Sequence, residues 1–161
     1  MLPVKWIKPE EVETVAKSKT WDTKSVYATV LESKDYIEPI DPKAKFDKAD
    51  YYKNPENYRS TFLKKYAPYV SVIINCAYWE QRFPRHITIS QLKKLADAKN
   101  LRLLAVADIS CDVHGAFEFL VKTTSIDAPL FVWDPHTRQA YESTNDKDYM
   151  YRNGILMLAV D

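Results

Sequence analysis

The sequence predicts an α/β fold with a mainly parallel sheet, and three observations predict it. Two runs, Tyr69–Ala77 (YVSVIINCA) and Leu101–Ile109 (LRLLAVADI), are almost continuously apolar and end in polar or small residues. Runs of that kind suit central strands buried on both faces, as parallel sheets require. Between them, Thr88-Ile89-Ser90-Gln91 has the spacing of a capping box, and Ile89, Leu92 and Leu95 recur on one helical face. Strand, helix and strand at this spacing make a βαβ unit with a right-handed parallel crossover. The third observation is a shortage: the chain has 2 glycines, Gly115 and Gly154, against a usual share of about 7%. A phosphate-cradling loop needs at least two glycines within about six residues, and this sequence has no such pair.

The other elements follow in chain order. Val4–Ile7 reads as a short strand. A helix over Pro9–Lys17 comes next, its proline and its acids Glu10 and Glu11 suited to the first turn and the helix dipole. Ser25–Leu31 (SVYATVL) is β-branched and aromatic, with Val26, Ala28 and Val30 on one side, and reads as a strand. Glu32–Asp50 holds Pro39, Pro42 and many charges and reads as a long surface loop. Asn54-Pro55-Glu56 is a helix start, with Asn as cap and Pro in the first turn. That helix is expected to reach Tyr66, with Tyr58 and Phe62 on a shared face. Beyond the second apolar run, Ala128–Trp133 is a third strand, and Gln139–Ser143 is its partner after a turn at Asp134-Pro135-His136-Thr137. Gly154–Val160 (GILMLAV) is a last apolar strand. The expected organisation is one domain, with an irregular lead-in over residues 1–66 and the βαβ core over 67–161.

Composition narrows the function classes. A chain of 161 residues, 46% apolar and 28% charged, suits a single folded domain rather than a disordered segment. Net charge is +1 with both signs interleaved, so no basic stripe points to a nucleic-acid partner. No apolar run approaches the roughly 18–20 residues of a membrane helix, and Met1–Trp6 resembles neither a secretory nor a transit peptide. An intracellular protein is expected. Cys76 and Cys111 each sit in an apolar stretch and read as reduced, buried thiols.

Chemistry in an open parallel sheet gathers beyond the carboxyl ends of its strands. Two strand ends carry polar residues there: Asn75-Cys76-Ala77-Tyr78-Trp79 and Asp108-Ile109-Ser110-Cys111-Asp112. The residues alone leave two readings open, a crevice for a cofactor or substrate and the ordinary use of Asn and Asp in caps and turns. Asp108, Asp112 and His114 lack the ligand spacing of a metal site, so no metal is expected. His86 and His136 read as solvent-facing loop residues.

At these strand ends the sequence resembles a known family. Ala67–Arg85 (APYVSVIINCAYWEQRFPR) closely resembles a segment of the lysine-ketoglutarate reductases, the first half of the bifunctional enzymes that degrade lysine. Ala105–Phe119 (AVADISCDVHGAFEF), Thr123–Pro135 (TTSIDAPLFVWDP) and Gly154–Asp161 (GILMLAVD) resemble the blocks that follow, and Lys24–Leu31 and NPENYRSTF fit more loosely. The resemblance implies condensation of lysine with 2-oxoglutarate and reduction of the imine to saccharopine by NADPH. It also implies a partial Rossmann-type three-layer domain, of the kind found in alanine dehydrogenase, whose first βαβ unit and glycine-rich loop are missing. By the same resemblance Asn75, Cys76, Ala77, Asp108 and Ser110 border NADP(H), and Asp112 stands near the nicotinamide as the catalytic candidate. Gly115 and Glu118 match as loop and supporting positions.

The departures carry expectations too. Without the glycine-rich turn the cofactor's pyrophosphate loses main-chain donors and a helix dipole. The family's substrate domain is also absent, so the chain is expected to be inactive alone, with lysine, 2-oxoglutarate or saccharopine as ligands of the intact enzyme. The alternative is a non-catalytic binding or regulatory module that keeps the scaffold. A missing first strand would expose a neighbour's edge, so self-association through that edge is expected. Animal members of the family are mitochondrial and plant members cytosolic, and location follows the source.

Overall fold

The computed structural model describes residues 2–142 and 154–160. Three sheets form among the described residues. β1 (Val4–Trp6) and β2 (Val26–Ala28) form a parallel pair, joined by a 3-10 turn at Pro9–Glu11 and α1 (Val12–Lys17). β3 (Ile37–Pro39) and β4 (Tyr58–Ser60) form an antiparallel pair. The largest sheet has five strands: β5 (Val72–Asn75), β6 (Ala105–Asp108), β7 (Phe131–Asp134), β8 (Gln139–Glu142) and β9 (Ile155–Leu158), in the order β5-β6-β9-β7-β8. β5, β6 and β9 run parallel, and β7 is antiparallel to both β9 and β8. The chain is therefore mixed α/β with an open sheet, as the sequence predicts. Ser143, at the end of the expected last hairpin strand, and Asp161 lie outside the described residues.

The βαβ unit forms where the periodicity places it. α5 (Ile89–Asp97) links β5 to β6. The Thr88 hydroxyl accepts from the Gln91 N–H at 3.2 Å, and the Thr88 N–H donates to Gln91 Oε1 at 2.9 Å. Glu118 adds a third cap by accepting the Ile89 N–H at 2.7 Å. Each satisfies an amide that has no partner inside the helix. Thr88→Ala is expected to lower stability by about 1 kcal/mol in urea unfolding, and an unchanged midpoint would show that Glu118 caps the helix unaided.

Sheet pairing sets the core. Alternate residues of β6, β9 and β7 bury one face: Val106 and Met157 are 1% and 0% exposed, Phe131 0%. Leu92 of α5 is fully buried in the same cluster. A second body of the core is aromatic. Tyr51 packs against Tyr58 and Phe83 with ring centres 5.1–5.3 Å apart, and Phe62 packs edge-on against Tyr36 and Phe117 at 5.8–5.9 Å.

The lead-in differs from the expected loop and helix. The supposed loop over Glu32–Asp50 contains α2 (Ser33–Tyr36), β3 and the start of α3 (Lys48–Lys53). The supposed helix from Asn54 to Tyr66 is a 3-10 turn at Pro55–Asn57, then β4, then the single turn α4 (Phe62–Lys65). Asn54 serves the preceding helix instead: its N–H donates to Asp50 O at 2.7 Å and its Nδ2 to Asp50 Oδ1 at 2.8 Å. Tyr58 and Phe62 thus lie on different elements, though both are buried.

β5 differs in a way that matters for function. The sequence reads it as a central strand, yet it ends the order of the sheet, with Val72 59% and Ile74 70% exposed. Apolar content shows that a strand suits burial on both faces; it does not show that the covering neighbours belong to the same stretch of chain.

Candidate functional site

The register of β5 and β6 brings the two polar strand ends together. Asn75 lies beside Asp108 in the parallel ladder, and the two side chains meet because each is the last strand residue on the buried face. Asn75 Nδ2 donates to Asp108 Oδ1 at 2.9 Å. The same oxygen accepts from Ser110 Oγ at 2.7 Å and Ser110 N at 3.1 Å. Asp108 is 1% exposed and Asn75 6%, and Asp108 Oδ2 is buried with no hydrogen-bond partner among the described residues. These three sequence-predicted residues therefore form one polar joint, buried at Asn75 and Asp108 and half-buried at Ser110. Asp108 lies beneath the surface, where its chemistry is to hold Asn75 and the 109–111 turn in place.

Cys76 and Ala77 follow at the open end. Cys76 is exposed, a correction to the expected buried thiol: it comes just after the edge strand, where no further strand covers it. The Ala77 N–H donates to Asn75 Oδ1 at 3.3 Å, which turns the chain away from the strand direction. Asn75, Cys76, Ala77 and Trp79 line a cleft of about 1340 Å³ that runs between β5 and the β1–β2 pair. Trp79 Nε1 is buried without a partner among the described residues, while Arg85 lies 5.3 Å over the indole ring.

The second loop is held tightly but turned elsewhere. Cys111 is half-buried and takes a left-handed φ of 55°, with its Sγ 3.5 Å from the carbonyls of Asp108 and Val160. His114 has a φ of 54°, and its Nδ1 lies 3.0 Å from Glu118 O. The Gly115 N–H donates to Asp112 O at 2.8 Å, closing the turn. Asp108, Ser110 and Asp112 are not among the residues that line the cleft. The structure thus joins Asn75, Cys76 and Ala77 to the open space, links Asp108 and Ser110 to them from below, and leaves Asp112 half-buried on the adjoining turn. Among the described residues no group of acids, cysteines and histidines could hold a metal ion, and no helix is long and apolar enough to cross a membrane.

Gly115 is required by space rather than by backbone freedom. A β-carbon there would fall 2.5 Å from Asp112 Cβ and 2.6 Å from Asp112 O. Both atoms belong to the turn itself and cannot swing away. Gly115→Ala is expected to cost about 1–3 kcal/mol and to shift Trp79 fluorescence, because the indole edge lies 3.2 Å from the same point. A variant with wild-type stability and emission would show that the turn yields freely.

A histidine also departs from its expected place. His86, expected at the surface, is 7% exposed beneath the cleft. Its ring lies 5.6 Å from Phe62, stacked at 27°, and 4.7 Å from Tyr36 edge-on. Burial pushes the imidazole down to about 4, and Nδ1 has no partner among the described residues. No local signal marks this, because the cage comes from elements distant in sequence. His136 is exposed as expected, 3.1 Å from Asp97 Oδ1.

No protein-family profile matches the chain, but curated proteins do. It is 43% identical over 136 residues, 84% of its length, to the alpha-aminoadipic semialdehyde synthase of Arabidopsis thaliana. It is 31% identical, over 99% of its length, to the proteins named alpha-aminoadipic semialdehyde synthase, mitochondrial, of Mus musculus and Rattus norvegicus. The chain spans 12% of the length of the first relative and 18% of each of the others.

Proposed function

We propose that this chain, homologous to one segment of the alpha-aminoadipic semialdehyde synthases, forms the nicotinamide side of an NADPH-dependent reductase site. The whole enzyme would reduce the imine of lysine and 2-oxoglutarate to saccharopine, in lysine degradation. The observation that carries the reading is the placement of Asn75, Cys76 and Ala77 at the open carboxyl end of β5, lining the large cleft. That is where open parallel sheets receive their ligands.

The lining fits one end of such a cofactor. Cys76 and Ala77 are small and uncharged, and Asn75 is fixed by its bond to Asp108, so a flat amide-bearing ring could approach the strand end without meeting a charge. The phosphate end does not fit the described residues: neither glycine lines the cleft. When bound, the nicotinamide supplies a hydride. The chain's own residues orient that ring and shield it from water. Asp112 stays a candidate for the neighbourhood of the reacting carbon through the family resemblance, on the turn that adjoins the strand end. Location follows the source, mitochondrial for an animal protein and cytoplasmic otherwise.

The test is a titration of NADPH against tryptophan fluorescence. The chain alone is expected to show no saturation in the micromolar range, because the main-chain donors that hold the pyrophosphate lie outside it. Adding the remaining portions of the Arabidopsis relative should restore saturable binding and saccharopine formation. Tight binding by the chain alone would contradict this assignment. Failure to bind even in the reassembled protein would favour a non-catalytic module.

A further inference from the structure

One side chain, Arg85, spans the two loops that follow β5 and β6. It is half-buried, and its Nε and Nη2 both donate to His114 O, at 3.2 and 2.9 Å. The same guanidinium lies 5.3 Å over the Trp79 indole, which lines the cleft with Asn75, Cys76 and Ala77. The edge of that indole comes within 3.2 Å of the point where a β-carbon on Gly115 would stand. Arg85 makes no ion pair among the described residues. The guanidinium is thus used for its plane and its fork of donors, neither of which a lysine offers.

The turn that Arg85 holds is a strained one. Cys111 and His114 bracket Asp112 and Val113, and both take a left-handed φ, 55° and 54°, which is costly for residues with a β-carbon. Such a conformation persists only where its surroundings over-determine it. Main-chain bonds fix the foot of the turn: the His86 and Ile87 N–H groups donate to Ala116 O, and the Glu118 N–H donates to Ile87 O. The tip, residues 112–115, has no part in those bonds. There the His114 N–H donates to Leu120 O, and its Nδ1 lies 3.0 Å from Glu118 O, both within the same segment of chain. The Arg85 bonds to His114 O tie the tip to the first loop.

We propose that Arg85 is a positioning residue of the reductase site, clamping the 112–115 turn to Trp79 so that the two loops hold one geometry around the reacting ring. The role rests on the nicotinamide reading above and adds a residue to it. Arg85 is not among the residues that line the cleft, so it acts through Trp79 and the turn rather than by touching a ligand. A dinucleotide draws much of its affinity from the contacts to its pyrophosphate, which lie outside this chain. Loosening the clamp therefore leaves cofactor affinity nearly intact. The orientation of the ring suffers, and the rate with it.

The test uses a single polypeptide in which this chain replaces the matched segment of the Arabidopsis relative. Arg85→Lys, which keeps the charge, is expected to lower kcat for saccharopine formation about tenfold, with KM for NADPH within about twofold of the parent. Arg85→Ala should lose at least as much, and added guanidinium ion should restore part of its rate by filling the space over the indole. Counted per folded molecule, a merely structural residue would change neither kcat nor KM. In this chain alone, without dinucleotide, Arg85→Lys should speed amide exchange at His114 and Gly115 about tenfold, while Val106 and Met157 keep their protection. An active parent with a lysine variant of equal kcat would overturn the proposal and leave the reductase reading standing. An inactive parent would overturn that reading and the proposal with it. Unchanged exchange at His114 and Gly115 would show that no clamp exists, whatever the rates.

Discussion

Replacing Asp108 with alanine is expected to remove about 3 kcal/mol of stability, since it strands the buried Asn75 amide and two half-buried donors of Ser110 that bond to no other acceptor among the described residues. Asp108 Oδ1 accepts from Asn75 Nδ2, Ser110 Oγ and Ser110 N, and the site is 1% exposed, so water reaches these donors only through the space that the substitution opens. Asp108→Asn keeps the acceptor at Oδ1 and exchanges one unpartnered atom for another, so its cost should stay within about 1 kcal/mol. Asn75→Ala with Asp108→Ala should be less harmful than the sum of the two, by about 1–2 kcal/mol, because the pair shares one bond. Urea unfolding followed by tryptophan emission measures the four variants and the parent. An alanine variant as stable as the parent would mean that the strand ends are held by main-chain pairing alone.

The joint was partly legible. Two apolar runs that end in Asn75 and Asp108 mark the carboxyl ends of strands, and parallel strands set side by side bring such ends together. Which run is central was not legible. β9, the last strand in sequence, lies in the middle of the sheet between β6 and β7, and this order depends on pairings far apart in the chain. The βαβ unit was read correctly because its evidence is local: a capping box and a three- to four-residue repeat within α5. The lead-in was misread for the opposite reason. β3 and β4 are three residues each and exist through pairs such as Ile37 with Ser60, so no propensity within either segment could reveal them. The Asn-Pro signal does start a helical turn at Pro55–Asn57, but the Asn54 side chain bonds back to Asp50 and the turn gives way to β4 at once.

Site residues divide along the same line. Cys76 and Ala77 could be expected at an open strand end, since they follow an apolar run directly. Cys76 departs from the buried thiol that its apolar neighbours suggest, because apolar neighbours in sequence do not mean cover on every side in space. His86 was missed because burial of a polar ring is decided by what surrounds it in space. Its main-chain N–H is bonded to Ala116 O at 2.7 Å, which draws the loop before α5 against the segment that carries Phe117.

That burial gives the second large expected effect, a loss of stability in mild acid. The His86 imidazole titrates at about 4 when folded and at its ordinary 6.5 when free. Between these values the unfolded chain binds the extra proton and the folded chain does not, so stability rises with pH through this window. The contribution is complete above pH 6.5 and shrinks as pH falls, with about 3 kcal/mol lost on reaching pH 4. His86→Leu fills the cage formed by Tyr36, Phe62 and Phe117 with an apolar group and removes the unpartnered Nδ1. At pH 7 its stability should lie within about 1 kcal/mol of the parent. Below pH 6.5 the two should diverge in the leucine variant's favour, since both proteins share the titration of their surface carboxylates and only one has a buried base to protonate. Urea midpoints at pH 7, 6, 5 and 4.5 test this directly. Parallel profiles would show that the ring accepts its proton without leaving the fold, and that the cage opens more readily than its packing suggests.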